Sequence, residues 1–336
     1  MAIVRVFVGL DYHVDFVQVC VMNRKGKILR NRKAANDWQA IAAMVAEMGR
    51  VASAAIEACS GAAHLTDELI HNAHWPLQLS HPGYVARMKQ SPDKTDFSDA
   101  QLLADLSRVG YIPKVWLAPP EVRELRRLLR FRQQLADQRR NVKLRIGALL
   151  REHRVAQPAA NPWTRRWRIW LEALELPAET QWIIGRQLRR FDAVNLDIAA
   201  AESRLAKLAE RDRLLQFLLT LSGIGLVTAV TLRAEIGRFD RFHNGKQLSR
   251  FCGLSPRNAS SGNRQADAGL IRAGNPQLRA VIVQAAHRLK RYDPRWSALA
   301  MRLRRRGKSG SLLAAAIANR WMRSLYHQVQ HWSTAN

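Results

Sequence analysis

VRVFVGL at residues 4–10 and VDFVQVCVM at residues 14–22 are the runs from which the fold of the N-terminal part follows. Both are rich in β-branched and aromatic residues, and only three residues separate them, so they predict two strands at hairpin distance. Lys25-Gly26-Lys27 offers a turn into a third strand near residues 28–31. We therefore expect a sheet that begins with three consecutive strands.

Helical and extended segments alternate after these strands. Asn36-Asp37 caps a helical segment, residues 52–58 (ASAAIEA) predict a buried strand that carries Glu57, and a helix near residues 63–74 precedes a short strand at residues 76–80. Three strands followed by alternating helices and strands are typical of an α/β sheet of the ribonuclease H type. We expect a ribonuclease H/RuvC-like domain over residues 1–117.

The charge of the chain indicates its class of partner. Its 336 residues include 54 Lys and Arg against 27 Asp and Glu, which gives a net charge of +27 spread along most of the length. A globular protein this basic is expected to bind a polyanion, and nucleic acid is the first candidate. The 47% of hydrophobic residues argues against a ribosomal or nucleoid packing protein.

The cysteines and the apolar runs bound the compartment. Cys20, Cys59 and Cys252 show no metal-ligand spacing, so we expect neither a zinc site nor disulfides. The N-terminus runs straight into a strand, and no apolar run approaches the roughly 20 residues that span a bilayer. We expect a cytoplasmic protein without a membrane partner.

Four acidic residues form the candidate catalytic set. Asp11 ends the first strand, and Glu57 lies in a middle strand that is its neighbour in a ribonuclease H-like sheet, so the two can converge. Asp96 and Asp99 are three residues apart and project from one face of a helix. Four carboxylates suit two Mg²⁺ (or Mn²⁺) ions at a phosphate. The alternative is structural: a turn residue, a satisfied core acid and two acids at a helix N-terminus.

The middle of the chain, residues 118–212, predicts two long helices, at about residues 121–153 and 179–211. Apolar residues recur at sevens along each of them: Leu128, Leu135, Val142 and Leu149, then Ile184, Phe191, Ile198 and Leu205. The pattern is typical of an antiparallel coiled-coil hairpin, and an ordinary amphipathic pair is the alternative. Clustered arginines along both helices favour contacts to a nucleic-acid backbone.

Residues 213–336 predict a mainly helical domain. Gly223-Ile224-Gly225 separates two apolar helical patterns, as in a helix-hairpin-helix element that offers backbone N–H groups to a phosphate. A plain helix–helix connection is the alternative. Further on stand GLSPRNASSG at residues 253–262 and GNPQLR at residues 274–279, with Asn275 as a helix N-cap. From the residues alone, Ser-Ser-Gly is a turn, and no Ser/His/Asp order supports acyl chemistry.

Taken together, these motifs resemble the insertion-sequence "one-ten" transposases, bridge-RNA-guided recombinases that include the Piv-type DNA invertases. The resemblance covers about residues 4–325 and rests on Asp11, Glu57, Asp96, Asp99 and the two C-terminal motifs. It implies that Ser261 is the nucleophile, with its neighbour Ser260 the poorer match. Four arginines lie near enough in sequence to neutralise a phosphate: Arg257, Arg264, Arg272 and Arg279.

The resemblance also implies a reaction and partners. The expected activity is Mg²⁺-dependent cleavage and rejoining of DNA through a covalent phosphoserine. The expected partners are donor and target DNA, a structured guide RNA, and further copies of the chain in a dimer or tetramer, in a bacterial, nucleoid-associated setting. Two rival functions stay open: a RuvC-like structure-specific endonuclease in which Ser261 is only structural, and a non-catalytic nucleic-acid-binding protein.

Overall fold

The computed structural model of the protein describes residues 4–89, 95–258, 267–271 and 274–335. The chain divides into two compact units, Met1–Leu117 and Ala118–Asn336. The predicted middle segment and the predicted C-terminal domain both fall within the second unit.

The first unit is a mixed α/β structure built on one six-stranded sheet. The sheet has the order β3-β2-β1-β4-β5-β6, in which β1 runs antiparallel to β2 and parallel to β4. The elements, in chain order, are β1 (Arg5–Tyr12), β2 (Phe16–Asn23), β3 (Ile28–Ala35), α1 (Trp38–Ala46), β4 (Arg50–Glu57), α2 (Ala62–His71), β5 (Leu77–Ser80), α3 (Pro82–Met88), α4 (Asp96–Arg108) and β6 (Lys114–Val115).

Helices cover both faces of this sheet. On one face, Val6, Val8 and Leu10 of β1 pack in one apolar core with residues of α1 and α2. On the other face, Cys20 and Met22 of β2 pack against α4. Because side chains alternate along a strand, the odd-numbered residues of β1 face α4. The predicted carboxylate Asp11 is one of these odd-numbered residues and is on the face of the sheet that α4 covers.

The second unit is mainly helical. Its elements are α5 (Pro120–Glu152), α6 (Arg165–Glu172), α7 (Ala178–Ala209), α8 (Arg213–Thr220), α9 (Leu226–Ile236), a 3₁₀ turn (Phe239–Arg241), α10 (Gly245–Phe251), β7 (Pro256–Asn258), β8 (Asp267–Leu270), α11 (Pro276–Tyr292), α12 (Pro294–Arg305) and α13 (Gly310–Ala335). β7 and β8 form a two-stranded antiparallel sheet. A single large core unites α8 to α13 with the start of α5 and the end of α7.

The two long helices α5 and α7 pack antiparallel. Arg132 donates to Glu202 at 2.7 Å, and further along α5 Arg139 donates to Asn195 at 3.1 Å. The seven-residue repeat is followed only in part. Leu135 and Val142 are buried, whereas Leu128 and Leu149 are half-buried because their neighbours Leu129 and Leu150 face the core. A straight helix of 3.6 residues per turn drifts away from a strict seven-residue seam in this manner.

Within the part of the chain that the structure describes, no helix is both long enough and apolar enough to cross a membrane.

Candidate metal centre

Asp11 and Glu57 lie at the same edge of the six-stranded sheet. β1 and β4 are parallel, and their register pairs Gly9 with Ala55, two residues before Asp11 and Glu57 respectively. Since residues two apart on a strand point to the same face, both carboxylates project toward the side on which α4 lies. The sheet therefore brings two of the predicted carboxylates to one edge and one face.

The other two carboxylates, Asp96 and Asp99, belong to the first turn of α4. Thr95 caps the helix: its Oγ1 accepts a hydrogen bond from the N–H of Ser98 at 3.1 Å, and the Oγ of Ser98 accepts one from the N–H of Thr95 at 3.3 Å. This reciprocal capping box fixes the first turn. The helix dipole stabilises negative side chains in a first turn, so their position alone does not separate a structural role from metal binding. The groups around the two aspartates distinguish these roles.

α4 packs directly on β1 at Gly9. A Cβ at Gly9 would lie 2.0 Å from the carbonyl oxygen of Ala100 and 2.3 Å from the backbone nitrogen of Ala104. Only glycine allows this approach. Asp96 precedes Ala100 by about one helical turn, and Asp11 follows Gly9 on the same face of the strand. The close packing therefore places the start of α4 beside Asp11.

Three side chains at this point form what we call the carboxylate–histidine cluster: Asp11, His13 and Asp96. One ligand atom from each lies within 4.8 Å of the other two. Nε2 of His13 is 3.3 Å from Oδ2 of Asp11 and 3.3 Å from Oδ1 of Asp96. Nζ of Lys33 lies 3.8 Å from the other oxygen of Asp96. The cluster joins β1, the loop that follows it, and α4.

Asp99 and Glu57 stand outside this cluster. The carboxylate of Asp99 is 9% exposed, and its Oδ1 lies 2.6 Å from Nζ of Lys89. The ammonium group supplies the counter-charge that a buried carboxylate needs. Of the four predicted carboxylates, the structure thus places two in one tight group, with a histidine as the third member.

The carboxylates of this site influence the pKa values of neighbouring groups. Burial raises the pKa of Asp11, His13 lowers it through its charge and hydrogen bond, and the negative charges of both α4 aspartates raise it further. Burial also raises the pKa of the Cys59 thiol, and the charges of Glu57 and Asp11 add to that rise. All four carboxylates therefore lie within electrostatic reach of Asp11 or of the thiol near it.

The donor atoms of the carboxylate–histidine cluster fit a divalent cation. Mg²⁺ holds six ligands at roughly 2.0–2.1 Å in octahedral geometry, so adjacent ligand atoms are about 3.0 Å apart. Nε2 of His13 lies 3.3 Å from one oxygen of each aspartate, and all three atoms lie within 4.8 Å of one another, so one divalent cation could contact them together. Carboxylate oxygens are the ligands that Mg²⁺ and Mn²⁺ prefer. Asp11 and Asp96 would hold such an ion, with Glu57 and Asp99 nearby.

The remaining predicted site residues belong to the second unit. Ser260, Ser261, Arg264 and Arg272 lie outside the described residues. Arg257 is an exposed residue of β7, and Nη1 of Arg279 donates to the carbonyl oxygen of Ile271 at 2.9 Å. The role of these residues toward a phosphate stays a prediction.

The predicted glycine turn connects α8 to α9. Gly223 has a φ of +78°, and a Cβ there would lie 2.6 Å from the side chain of Leu289, while Gly225 is the N-cap of α9. Nη2 of Arg288 on α11 donates to Oγ1 of Thr228 at 3.3 Å in the first turn of α9. An arginine therefore lies at the N-terminus of α9, and the role of the turn toward a phosphate stays a prediction.

Sequence reasoning missed three side chains at the carboxylates: His13, Lys33 and Lys89. The position of His13 could have been predicted, because it lies two residues after Asp11 and residues two apart on a strand point to the same face. The lysines had none, because only the packing of α3 and α4 and of β3 brings them to their aspartates.

Comparison with known proteins matches two family models to the chain. A model described as "Transposase IS116/IS110/IS902 family" matches residues 215–300. A second, the DEDD model of IS110 described as "Transposase", matches residues 8–155. The two matched regions together cover more than half of the chain and contain all four predicted carboxylates and the predicted serine.

Curated relatives extend over most of the length. The transposase for insertion sequence element IS1111A of Coxiella burnetii is 28% identical over 93% of this chain and 86% of its own. A probable family 20 transposase of Pseudomonas aeruginosa is 26% identical over 81% of this chain and 82% of its own. The transposase for insertion sequence element IS1328 of Yersinia enterocolitica is 25% identical over 69% of each chain.

Proposed function

The chain belongs to the IS116/IS110/IS902 family of insertion-sequence transposases, and from this premise we propose that it cuts and rejoins DNA through a covalent phosphoserine. A transposase of this family is an enzyme that acts on DNA. The observation that carries the finer proposal is the convergence of Asp11 and Asp96 in one cluster, with Glu57 and Asp99 beside it. The matched regions also contain the serine that the mechanism needs.

In the proposed mechanism, Asp11, Glu57, Asp96 and Asp99 would hold a divalent cation, Mg²⁺ or Mn²⁺. Bound there, the ion would polarise the scissile phosphate and neutralise charge that develops on its oxygens. Oγ of Ser261 bonds to the phosphorus and releases its proton to solvent water, and the bond to the departing sugar oxygen breaks as that oxygen takes a proton from solvent water. One phosphoester bond forms as one breaks, so the link retains the energy that rejoining needs.

The proposed domain plan assigns residues 1–117 to a ribonuclease H/RuvC-like carboxylate domain. The order β3-β2-β1-β4-β5, with three antiparallel strands followed by two parallel ones, supports that assignment. Residues 118–212 form the coiled-coil arm, and residues 213–336 form the serine domain with a helix-hairpin-helix element. The antiparallel packing of α5 on α7 and the glycine turn before α9 support these two parts.

The proposed partners follow from charge and family. A net charge of +27 suits donor and target DNA together with a guide RNA whose base pairing selects the sequence. Arg257, Arg264, Arg272 and Arg279 would contact phosphates near Ser261. We further propose that carboxylate and serine domains of different copies share one active site, which requires a dimer or tetramer, and that the protein acts at the bacterial nucleoid.

The test is detection of the covalent link. Full-length protein is incubated with end-labelled DNA from the termini of its element, the RNA transcribed from that element, and Mg²⁺, and is resolved on a denaturing gel. We expect a protein–DNA adduct with the wild type and with Ser260→Ala, and none with Ser261→Ala. Cleavage without an adduct, equal in all three proteins, would establish the nuclease instead. DNA binding without cleavage would establish the non-catalytic protein.

A further inference from the structure

His13 is held at the centre of the carboxylate–histidine cluster by the fold itself. Its backbone N–H donates to the carbonyl oxygen of Phe16 at 2.9 Å, and its own carbonyl oxygen accepts from Nδ2 of Asn36 at 3.2 Å. The imidazole stacks on the ring of Phe16, with centroids 4.5 Å apart and planes 24° apart. The loop after β1 therefore fixes both the position and the tilt of the ring.

The fixed ring aims one nitrogen at two carboxylates. A hydrogen bond to a single carboxylate brings the two heavy atoms to about 2.7–2.9 Å. Nε2 of His13 instead lies at 3.3 Å from an oxygen of Asp11 and at 3.3 Å from an oxygen of Asp96. The hydrogen bond to Asp11 is therefore a long one, and two equal separations of this length also suit three donor atoms arranged around a common centre.

The carboxylate–histidine cluster offers a different set of ligand atoms from a site of four carboxylates. The tight cluster contains two carboxylate oxygens and one imidazole nitrogen, whereas Asp99 is paired with Lys89. Imidazole is a poor ligand for Mg²⁺ and a better one for transition metals, whose affinity for nitrogen donors rises from Mn²⁺ to Co²⁺ and Ni²⁺. One nitrogen among oxygens therefore shifts the preference of a site away from Mg²⁺.

We propose that His13 is a direct ligand of the catalytic cation and that it makes the site favour Mn²⁺ or Co²⁺ over Mg²⁺. The inference rests on the proposed function, because it requires a divalent cation at Asp11 and Asp96. It adds to the four carboxylates a nitrogen ligand that neither the family match nor the carboxylate motif assigns.

In the alternative role, His13 opposes metal binding, so its removal would change the metal affinity in the opposite direction. An imidazolium that bridges the two carboxylates would repel a cation and compete with it for the same oxygens. Removal of such a group would tighten metal binding, whereas removal of a ligand weakens it. The direction of one change in affinity therefore separates the two roles.

The experiment measures Mn²⁺ binding to the full chain without nucleic acid. Free Mn²⁺ is followed by electron paramagnetic resonance, Mg²⁺ affinity is obtained by displacement of Mn²⁺, and pulsed measurements detect a directly bound nitrogen. The variants are His13→Ala, His13→Asn, which restores an oxygen ligand, and His71→Ala as the control. His71 is an exposed histidine of α2, on the opposite face of the sheet from α4.

We expect His13→Ala to weaken Mn²⁺ binding by about tenfold or more, a loss at least as large as that from outer-shell groups. We expect the preference for Mn²⁺ over Mg²⁺ to fall and the nitrogen coupling to vanish. His13→Asn should recover Mg²⁺ affinity without the coupling, and His71→Ala should match the wild type. Unchanged or tighter Mn²⁺ binding in His13→Ala would overturn the inference. Absence of Mn²⁺ binding in the wild type would instead remove the metal site of the proposed function.

Discussion

Gly9 and Ala100 are packed so closely that a Cβ on Gly9 would lie 2.0 Å from the carbonyl oxygen of Ala100. Nothing at this contact is a flexible side chain, so in Gly9→Ala α4 itself must move away from β1. We expect a loss of about 1–3 kcal/mol or more in the free energy of unfolding. Asp96 and Asp99 move with the helix, so Mn²⁺ affinity should fall as well. Urea denaturation and Mn²⁺ titration measure the two effects.

Gly185→Ala is the matched control for that substitution. Gly185 lies inside α7, and a Cβ there would meet no other atom within 4 Å. Alanine should stabilise the helix by about 0.5–1 kcal/mol and leave Mn²⁺ affinity as in the wild type. Equal urea midpoints for the two glycine variants would contradict the close packing of α4 on β1.

Substitution of Asp96 and of Asp105, two of the acidic residues of α4, distinguishes the effect of a charge in the carboxylate–histidine cluster from that of a charge elsewhere on the helix. Asp96→Asn keeps the size of the side chain and removes the negative charge beside Asp11. We expect DNA cleavage to fall about 100-fold or more, as for other groups that stabilise charge in a transition state, while DNA binding persists. Asp105 pairs with Arg108 instead, so Asp105→Asn should cleave at nearly the wild-type rate. Equal loss in both variants would argue that α4 acts only structurally.

The ion pair of Lys89 with Asp99 predicts that removal of the lysine charge increases the affinity for Mn²⁺. In Lys89→Met the buried carboxylate of Asp99 loses its ammonium partner, so the metal-free protein should be less stable. A divalent cation then replaces the lost counter-charge, and Mn²⁺ should bind severalfold more tightly and raise the melting temperature more than in the wild type. Lys114→Met, at an exposed lysine of β6, controls for loss of charge. Weaker Mn²⁺ binding in Lys89→Met would show that Lys89 serves the site in another way.

The strands of the first unit were predictable because their apolar runs are long and β-branched. Two elements of that unit were missed for a physical reason. α3 has seven residues and buries only Val85 of its apolar side chains, and β6 has two residues. Neither is long enough to produce a periodic pattern. The expected neighbourhood of the first strand, β1, and the middle strand, β4, is confirmed by their parallel pairing.

The candidate site was predictable only where local spacing encodes direction. Asp96 and Asp99 had to share a helix face, and Asp11 and Glu57 had to lie near the ends of neighbouring strands. The pairing of Lys89 with Asp99 depends on how α3 and α4 pack, which no local pattern encodes. The same limit applies to α5, where Leu129 and Leu150 face the core in place of Leu128 and Leu149.

The three thiols should differ sharply in reactivity. Burial raises the pKa of Cys20 to about 12 and that of Cys252 to about 12, so neither forms a thiolate near neutral pH. Cys59 is exposed. A maleimide probe at pH 7 should therefore modify one thiol in the native protein and three after denaturation, and Cys59→Ser should abolish the native reaction. Rapid modification of a second thiol would contradict the burial of Cys20 or Cys252.

The pair of Arg168 with Asp192 predicts a small stability that depends on pH. Both Nη atoms of Arg168 donate to the carboxylate at 2.6 Å, and these hydrogen bonds lower the pKa of Asp192. The stabilisation is therefore complete above the ordinary aspartate pKa and is lost as the pH falls through the lowered value. The side chains are 37% and 45% exposed, so Asp192→Asn should cost less than about 1 kcal/mol at pH 7. Urea denaturation from pH 7 to pH 2 should show this difference shrink toward zero. Asp137→Asn, at an exposed pair 3.5 Å long, should show a smaller cost, and a pH-independent cost for Asp192→Asn would contradict the assignment to this ion pair.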